Sequence, residues 1–148
     1  MQFSGPGIVS RFFPQLPQVE VDLIVKTALD GGITWFDTAE MYGWGHSERS
    51  LSTALVLNGI SPGEVTIATK WSPLLRTARS VRGTIAARQT TLEPFPVDLH
   101  QIHMGFGSFS KLRTQVHAMA ALAEEGKVNS VGVSNFSARQ MERAHATM

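Results

Sequence analysis

Apolar and polar positions alternate along this chain in two periods, one helical and one extended, and they take turns. Val19, Val21, Leu23, Ile24, Ala28 and Leu29 predict a helix over Val19–Leu29, closed by Asp30-Gly31-Gly32. Thr34–Asp37 then reads as a strand. A helix follows from Ser47, a candidate N-cap, to Leu57, and Asn58-Gly59 stops it. Pro62-Gly63 marks a turn, and Glu64–Lys70 is the second strand. After the loop Ser72–Arg79, Ser80 caps a helix to Leu92, ended by Pro94 and Pro96. Val97–His103 is the third strand, and Gly105–Ser110 is a loop. Val116, Met119, Ala120, Leu122 and Ala123 set a helix over Lys111–Glu125, with Gly126 at its end. Val128–Ser134 is the fourth strand, and Ser137 caps a last helix. Met1–Pro17 is poorly patterned; only Ile8–Phe13 offers a short strand.

Strand and helix in strict alternation predict a parallel sheet with helical crossovers. The expected strand ends Asp37, Lys70, His103 and Ser134 are spaced at 33, 33 and 31 residues. A βα unit needs about 30. A helical-hairpin repeat has a similar period. The β-branched runs at Thr66-Ile67 and Val131–Val133 sit where that repeat would need helix.

Strand side chains alternate between faces. Lys70 shares its face with Ala68 and Thr66, opposite Thr69, Ile67 and Val65. His103 goes with Gln101 and Leu99, and Ser134 with Gly132 and Ser130. Small or polar residues on one face and β-branched ones on the other suit a curved sheet with helices outside, as in a (β/α)8 barrel of TIM type. With four strands, the expectation is an incomplete barrel of about four to five βα units. Asp98 and His100 fall on the helix side and are expected near the less buried end of their strand. Because the sheet is parallel, Asp37, Lys70, His103 and Ser134 should gather at one rim, with Tyr42 hanging over it.

Composition narrows the chemistry. The 148 residues are 43% hydrophobic and 17% charged, enough for one core. A net charge of +1 gives no electrostatic case for nucleic acid. The absence of cysteine excludes disulfides and thiol catalysis. No apolar run reaches the roughly 18 residues of a membrane span. Met1–Arg11 lacks the pattern of a secretory signal, so a cytoplasmic location without membrane contact is expected. His100 and His103 would face opposite sides of a strand, so no metal site is expected.

A tyrosine with an ordinary pKa of about 10 is a weak acid, and a neighbouring ammonium favours its phenolate. Lys70 beside Tyr42, with Asp37 holding Lys70, would make a tuned proton donor. His103 could hydrogen-bond an oxygen on which charge develops. A proton donor and an oxyanion partner with no nucleophile suit carbonyl reduction by a hydride-carrying cofactor. Taken singly, each residue also has an ordinary reading. Asp37 also reads as a plain strand terminator or helix-loop cap, Tyr42 as a loop aromatic covering the core, Lys70 as a solvated strand end and His103 as a structural histidine.

GITWFDTAEMYG (Gly32–Gly43), the SER of Ser47–Arg49, VTIATK (Val65–Lys70), VDLHQIH (Val97–His103) and EEGKVNSVGVSNF (Glu124–Phe136) together resemble the aldo-keto reductase family. The resemblance implies a (β/α)8 barrel that reduces aldehydes or ketones with NADPH. It implies Tyr42 as proton donor, Lys70 and Asp37 as its tuning pair, and His103 as the group that orients the carbonyl. It places Ser134 and Asn135 at the nicotinamide carboxamide, and Trp44 and Trp71 along the substrate pocket. A complete barrel needs about 250 residues. The chain, 1–148, is therefore expected to be the N-terminal portion of such a domain, a fragment weak or inactive alone. It is also expected to self-associate through exposed sheet edges. The rival readings are a cofactor-binding regulatory or interaction subunit, and a non-functional gene fragment.

Overall fold

The computed structural model describes residues 2–3 and 15–147. The strand expected at Ile8–Phe13 lies outside the described residues. The elements are α1 (Gln18–Asp30), β1 (Trp35–Asp37), α2 (His46–Leu57), β2 (Thr66–Trp71), α3 (Ser80–Leu92), β3 (Leu99–Ile102), α4 (Leu112–Glu124), β4 (Ser130–Val133) and α5 (Ala138–His145). The strands form one parallel sheet in the order β1-β2-β3-β4. The α/β alternation read from the sequence is therefore the architecture.

The helices pack on one side of the sheet. Phe36, Ile67 and Ile102 from the strands meet Val21 and Val25 of α1, Leu51 and Leu55 of α2, Val81 and Ile85 of α3, and Met119 and Leu122 of α4 in one core. This is the β-branched face predicted from parity. The opposite face is far more open: Trp35 and Ser130 are exposed, and Leu99, Gln101 and Gly132 are half-buried. Among the described residues β1 and β4 each have one strand neighbour, so each presents an open edge. No described helix is long and apolar enough to cross a membrane.

Several local details differ from the sequence reading. Ser47 is not the cap of α2; the helix starts at His46 behind Gly45, whose φ of 85° is left-handed. The Ser47 side chain is buried inside the first turn, where its oxygen accepts from Phe3 N at 3.0 Å and Thr38 Oγ1 at 3.1 Å. Ser80 is the first residue of α3, not its cap, because its hydroxyl accepts from Trp71 Nε1 at 2.9 Å and donates to Thr77 O. Ser137 does cap α5. It accepts from Gln140 N while Gln140 Oε1 accepts from Ser137 N, a reciprocal capping box. His100 is not near an exposed strand end: it is fully buried under the helices. Asp98 is at the entry of β3, where it accepts from Ile67 N at 2.8 Å and Asn129 Nδ2 at 2.8 Å.

Candidate active site

The site is built at the C-terminal ends of the strands. Phe36 is buried in the core, so its neighbour Asp37 points to the opposite face. Thr38 N continues the ladder to Ala68 O at 2.9 Å. On β2, Thr69 turns toward the helices and Lys70 toward the open face. Lys70 is 4% exposed. Its ammonium donates to the Asp37 carboxylate and, at 2.8 Å, to Thr38 O.

Tyr42 is carried by a tight turn. Its amide donates to Ala39 O, and three successive residues, Gly43, Trp44 and Gly45, adopt left-handed φ of 62°, 54° and 85°. The turn sets the Tyr42 ring 5.4 Å from Lys70 Nζ and 5.6 Å from the His103 ring, edge to face at 81°. His103 follows β3, its amide donating to Trp71 O at 2.9 Å. Beside it, Asn135 Nδ2 donates to His103 O at 2.9 Å and to Ser134 Oγ at 3.1 Å. Asn135 takes a φ of 56°, a left-handed conformation that asparagine tolerates better than most residues.

Six of the eight residues singled out from the sequence thus come together: Asp37, Tyr42, Lys70 and His103 around one point, with Ser134 and Asn135 at the neighbouring strand end. Trp44 does not pack on them; it is 76% exposed and borders a cavity of about 190 Å³ with Glu40, Met41, Ser72, Leu74 and Arg76. Trp71 faces away from the other six. β2 runs one residue further than expected, so Trp71 belongs to the strand and turns to the side opposite Lys70. It is wholly buried, with its indole nitrogen donating to Ser80 and the Arg76 guanidinium 5.9 Å from its ring.

The electrostatics also correct an expectation. Tyr42 is held above the ordinary phenol value, first by burial and then by the Asp37 carboxylate, and not lowered by Lys70. The reason is geometric: the lysine charge is already matched by Asp37, and the ammonium lies 5.4 Å from the ring centre. His103 is held below the ordinary imidazole value by burial and then by Lys70, with Asp37 opposing. At neutral pH the site therefore presents a neutral phenol and a neutral imidazole beside an ion pair whose lysine end is buried.

Two partners were not anticipated. The Thr38 carbonyl receives Lys70, and no sequence signal marks a backbone acceptor. Gln101 Nε2 donates to Asp37 Oδ1 at 2.9 Å, and its shared strand face with His103 was the available signal.

The chain matches known proteins. The aldo/keto reductase family model matches residues 9–148. An aldo-keto reductase of Bacillus subtilis is 33% identical over 130 residues, covering 82% of this chain and 39% of the relative. The crystal structure of a thermostable aldo-keto reductase in complex with the inhibitor epalrestat superposes with a TM-score of 0.78 at 29% identity, over 98% of this chain and 49% of that one. An aldo/keto reductase from Klebsiella pneumoniae in complex with NADP and acetate gives 0.73 at 26%, over 84% of this chain and 42% of its own. The chain spans less than half the length of each of these proteins. It belongs to the aldo/keto reductase family of oxidoreductases, with the parallel β/α architecture of about half of the family's barrel.

Proposed function

We propose that residues 1–148 are the N-terminal portion of a barrel that reduces aldehydes or ketones to alcohols with NADPH or NADH, Tyr42 giving the proton. The observation that carries this reading is the position of the Tyr42 ring, 5.4 Å from a buried ammonium and 5.6 Å from a neutral imidazole. The nicotinamide, when bound, supplies the hydride to the carbonyl carbon. Tyr42, kept neutral by its surroundings, donates its proton to the carbonyl oxygen. Lys70 stabilises the phenolate left behind, and Asp37 keeps Lys70 in place. His103 holds the carbonyl oxygen by a hydrogen bond. A carboxamide needs a donor and an acceptor. Ser134 and Asn135 offer both at one strand end, so the donor set fits that group.

In this reading the chain alone is inactive or nearly so and self-associates through the open edges of β1 and β4. The test joins residues 1–148 to the C-terminal half of the Bacillus subtilis relative and follows NADPH oxidation with a simple aldehyde. The reading predicts turnover that Tyr42→Phe lowers by about 10²–10⁴-fold, the usual share of a positioned proton donor. A chimaera that turns over equally well with phenylalanine at this position would refute it. Steady-state reduction by the 148-residue chain alone would refute the need for the second half.

A further inference from the structure

The open face of the sheet carries Trp35, Ala68, Leu99 and Gly132 together with polar residues, Asp37 and Lys70 among them. Gln101 is one of the polar ones. It sits in the middle of β3, half-buried, in register with Lys70 of β2 on one side and Gly132 of β4 on the other. What the amide adds over an apolar side chain is its bonding. The side chain reaches past Lys70 to β1 and donates to Asp37 Oδ1 at 2.9 Å, while Asp37 Oδ2 takes the Lys70 ammonium.

We propose that Gln101 is a positioning residue for this site: its amide fixes the Asp37 carboxylate in the orientation that keeps the second oxygen on Lys70. The inference rests on the role given above to Asp37 and Lys70. The carboxylate torsion is broad and roughly two-fold, so bonds to both oxygens, Lys70 on Oδ2 and Gln101 on Oδ1, narrow it. Burial does not fix it, because the Asp37 side chain is 42% exposed. A carboxylate only accepts, so the amide must turn its NH2 toward it, and the geometry has one chemical sense. The Lys70 ammonium, by contrast, is enclosed, with Asp37 and Thr38 O as its hydrogen-bond acceptors. Loosening the carboxylate therefore loosens the ammonium, and with it the charge that faces the Tyr42 ring.

The test reads Lys70 directly. The chain has four lysines, at positions 26, 70, 111 and 127, so their ammonium resonances can be assigned by substitution. Proton exchange of the Lys70 ammonium is measured by NMR in the 148-residue chain and in Asp37→Asn, Gln101→Met and Gln101→Leu, each checked by its backbone amide spectrum. Slow exchange is expected in the parent. Asp37→Asn should accelerate it strongly, and both Gln101 variants by at least about tenfold, the lower end for one hydrogen bond to a charged group. A Gln101 variant that keeps a native amide spectrum and the parent exchange rate overturns the inference, provided Asp37→Asn accelerates exchange. If Asp37→Asn also changes nothing, the ion pair itself is absent, and the reading of Asp37 and Lys70 falls with it. Two lengths and shapes at position 101 guard against loss of folding, and global unfolding in both would overturn a positioning role in favour of a structural one.

Discussion

Lys70 and Asp37, 33 residues apart in the chain, form an ion pair that crosses from β2 to β1, and the lysine end of it is buried while the aspartate end reaches solvent. The pair sets the charge environment of the two rings beside it. Lys70 depresses the His103 imidazole and Asp37 opposes that effect.

The first prediction concerns His103. NMR titration of the five histidines should find His103 below the ordinary value of 6.5. Lys70→Met removes a cation that disfavours the imidazolium, so the His103 value should rise. An unchanged His103 in that variant would place Lys70 too far away to act on the ring.

The second concerns the buried ion pair under the sheet. Glu48 of α2 is fully buried, bonded to Thr69 of β2 and to Arg88 of α3. Arg88→Met strands the carboxylate, and losing one partner of such a pair costs about 3–5 kcal/mol. Lys26–Asp30 on α1 is exposed on both sides, so Lys26→Met should cost well under about 1 kcal/mol. Denaturant unfolding of the two variants separates these outcomes. Similar losses would mean that the Glu48 cluster is solvated.

The third is a pH dependence of stability. His100 is buried among the helices, and burial brings it to about 4, with Arg88 adding to the effect and the Thr69 backbone opposing it. Between about pH 6.5 and 4 the unfolded chain binds a proton at this residue that the folded chain does not, so stability falls as the pH drops through that window. The full effect is of order 3 kcal/mol. Glu48 works the other way: burial raises it, so the folded state takes up its proton first and this contribution grows as pH falls. Unfolding free energies at several pH values should therefore show a flatter acid limb for His100→Leu than for the parent. Parallel limbs would contradict the burial of His100.

Much of this was legible from the chain because the two periodicities are clean. Thr66–Lys70 and Val131–Val133 alternate between β-branched and small or polar residues, and that alternation set the helix-facing side and the side that carries Asp37, Lys70 and His103. Local caps were less legible. Ser47 and Gly45 both suit a helix start, and the buried bonds of Ser47 to Phe3 and Thr38 are long-range, so the choice between them is tertiary. The direction of Trp71 was not legible because it depends on β2 running one residue past Lys70, which makes Trp71 follow the alternation and face opposite the lysine. The direction of the Tyr42 shift was hidden because it depends first on how deeply the ring is buried and then on the nearness of the Asp37 carboxylate, which spacing alone does not give.

The most direct test of the converged site uses the fact that Tyr42 is the only tyrosine in the chain. Its phenol can be titrated by ultraviolet absorbance with no overlapping tyrosine signal. The parent should ionise above the ordinary value near 10, and Asp37→Asn should bring it down, since the raising carboxylate is gone and the lysine charge is no longer matched. A phenol that ionises at the ordinary value or below in the parent, and does not move in Asp37→Asn, would show that the acid and the ring do not share a site.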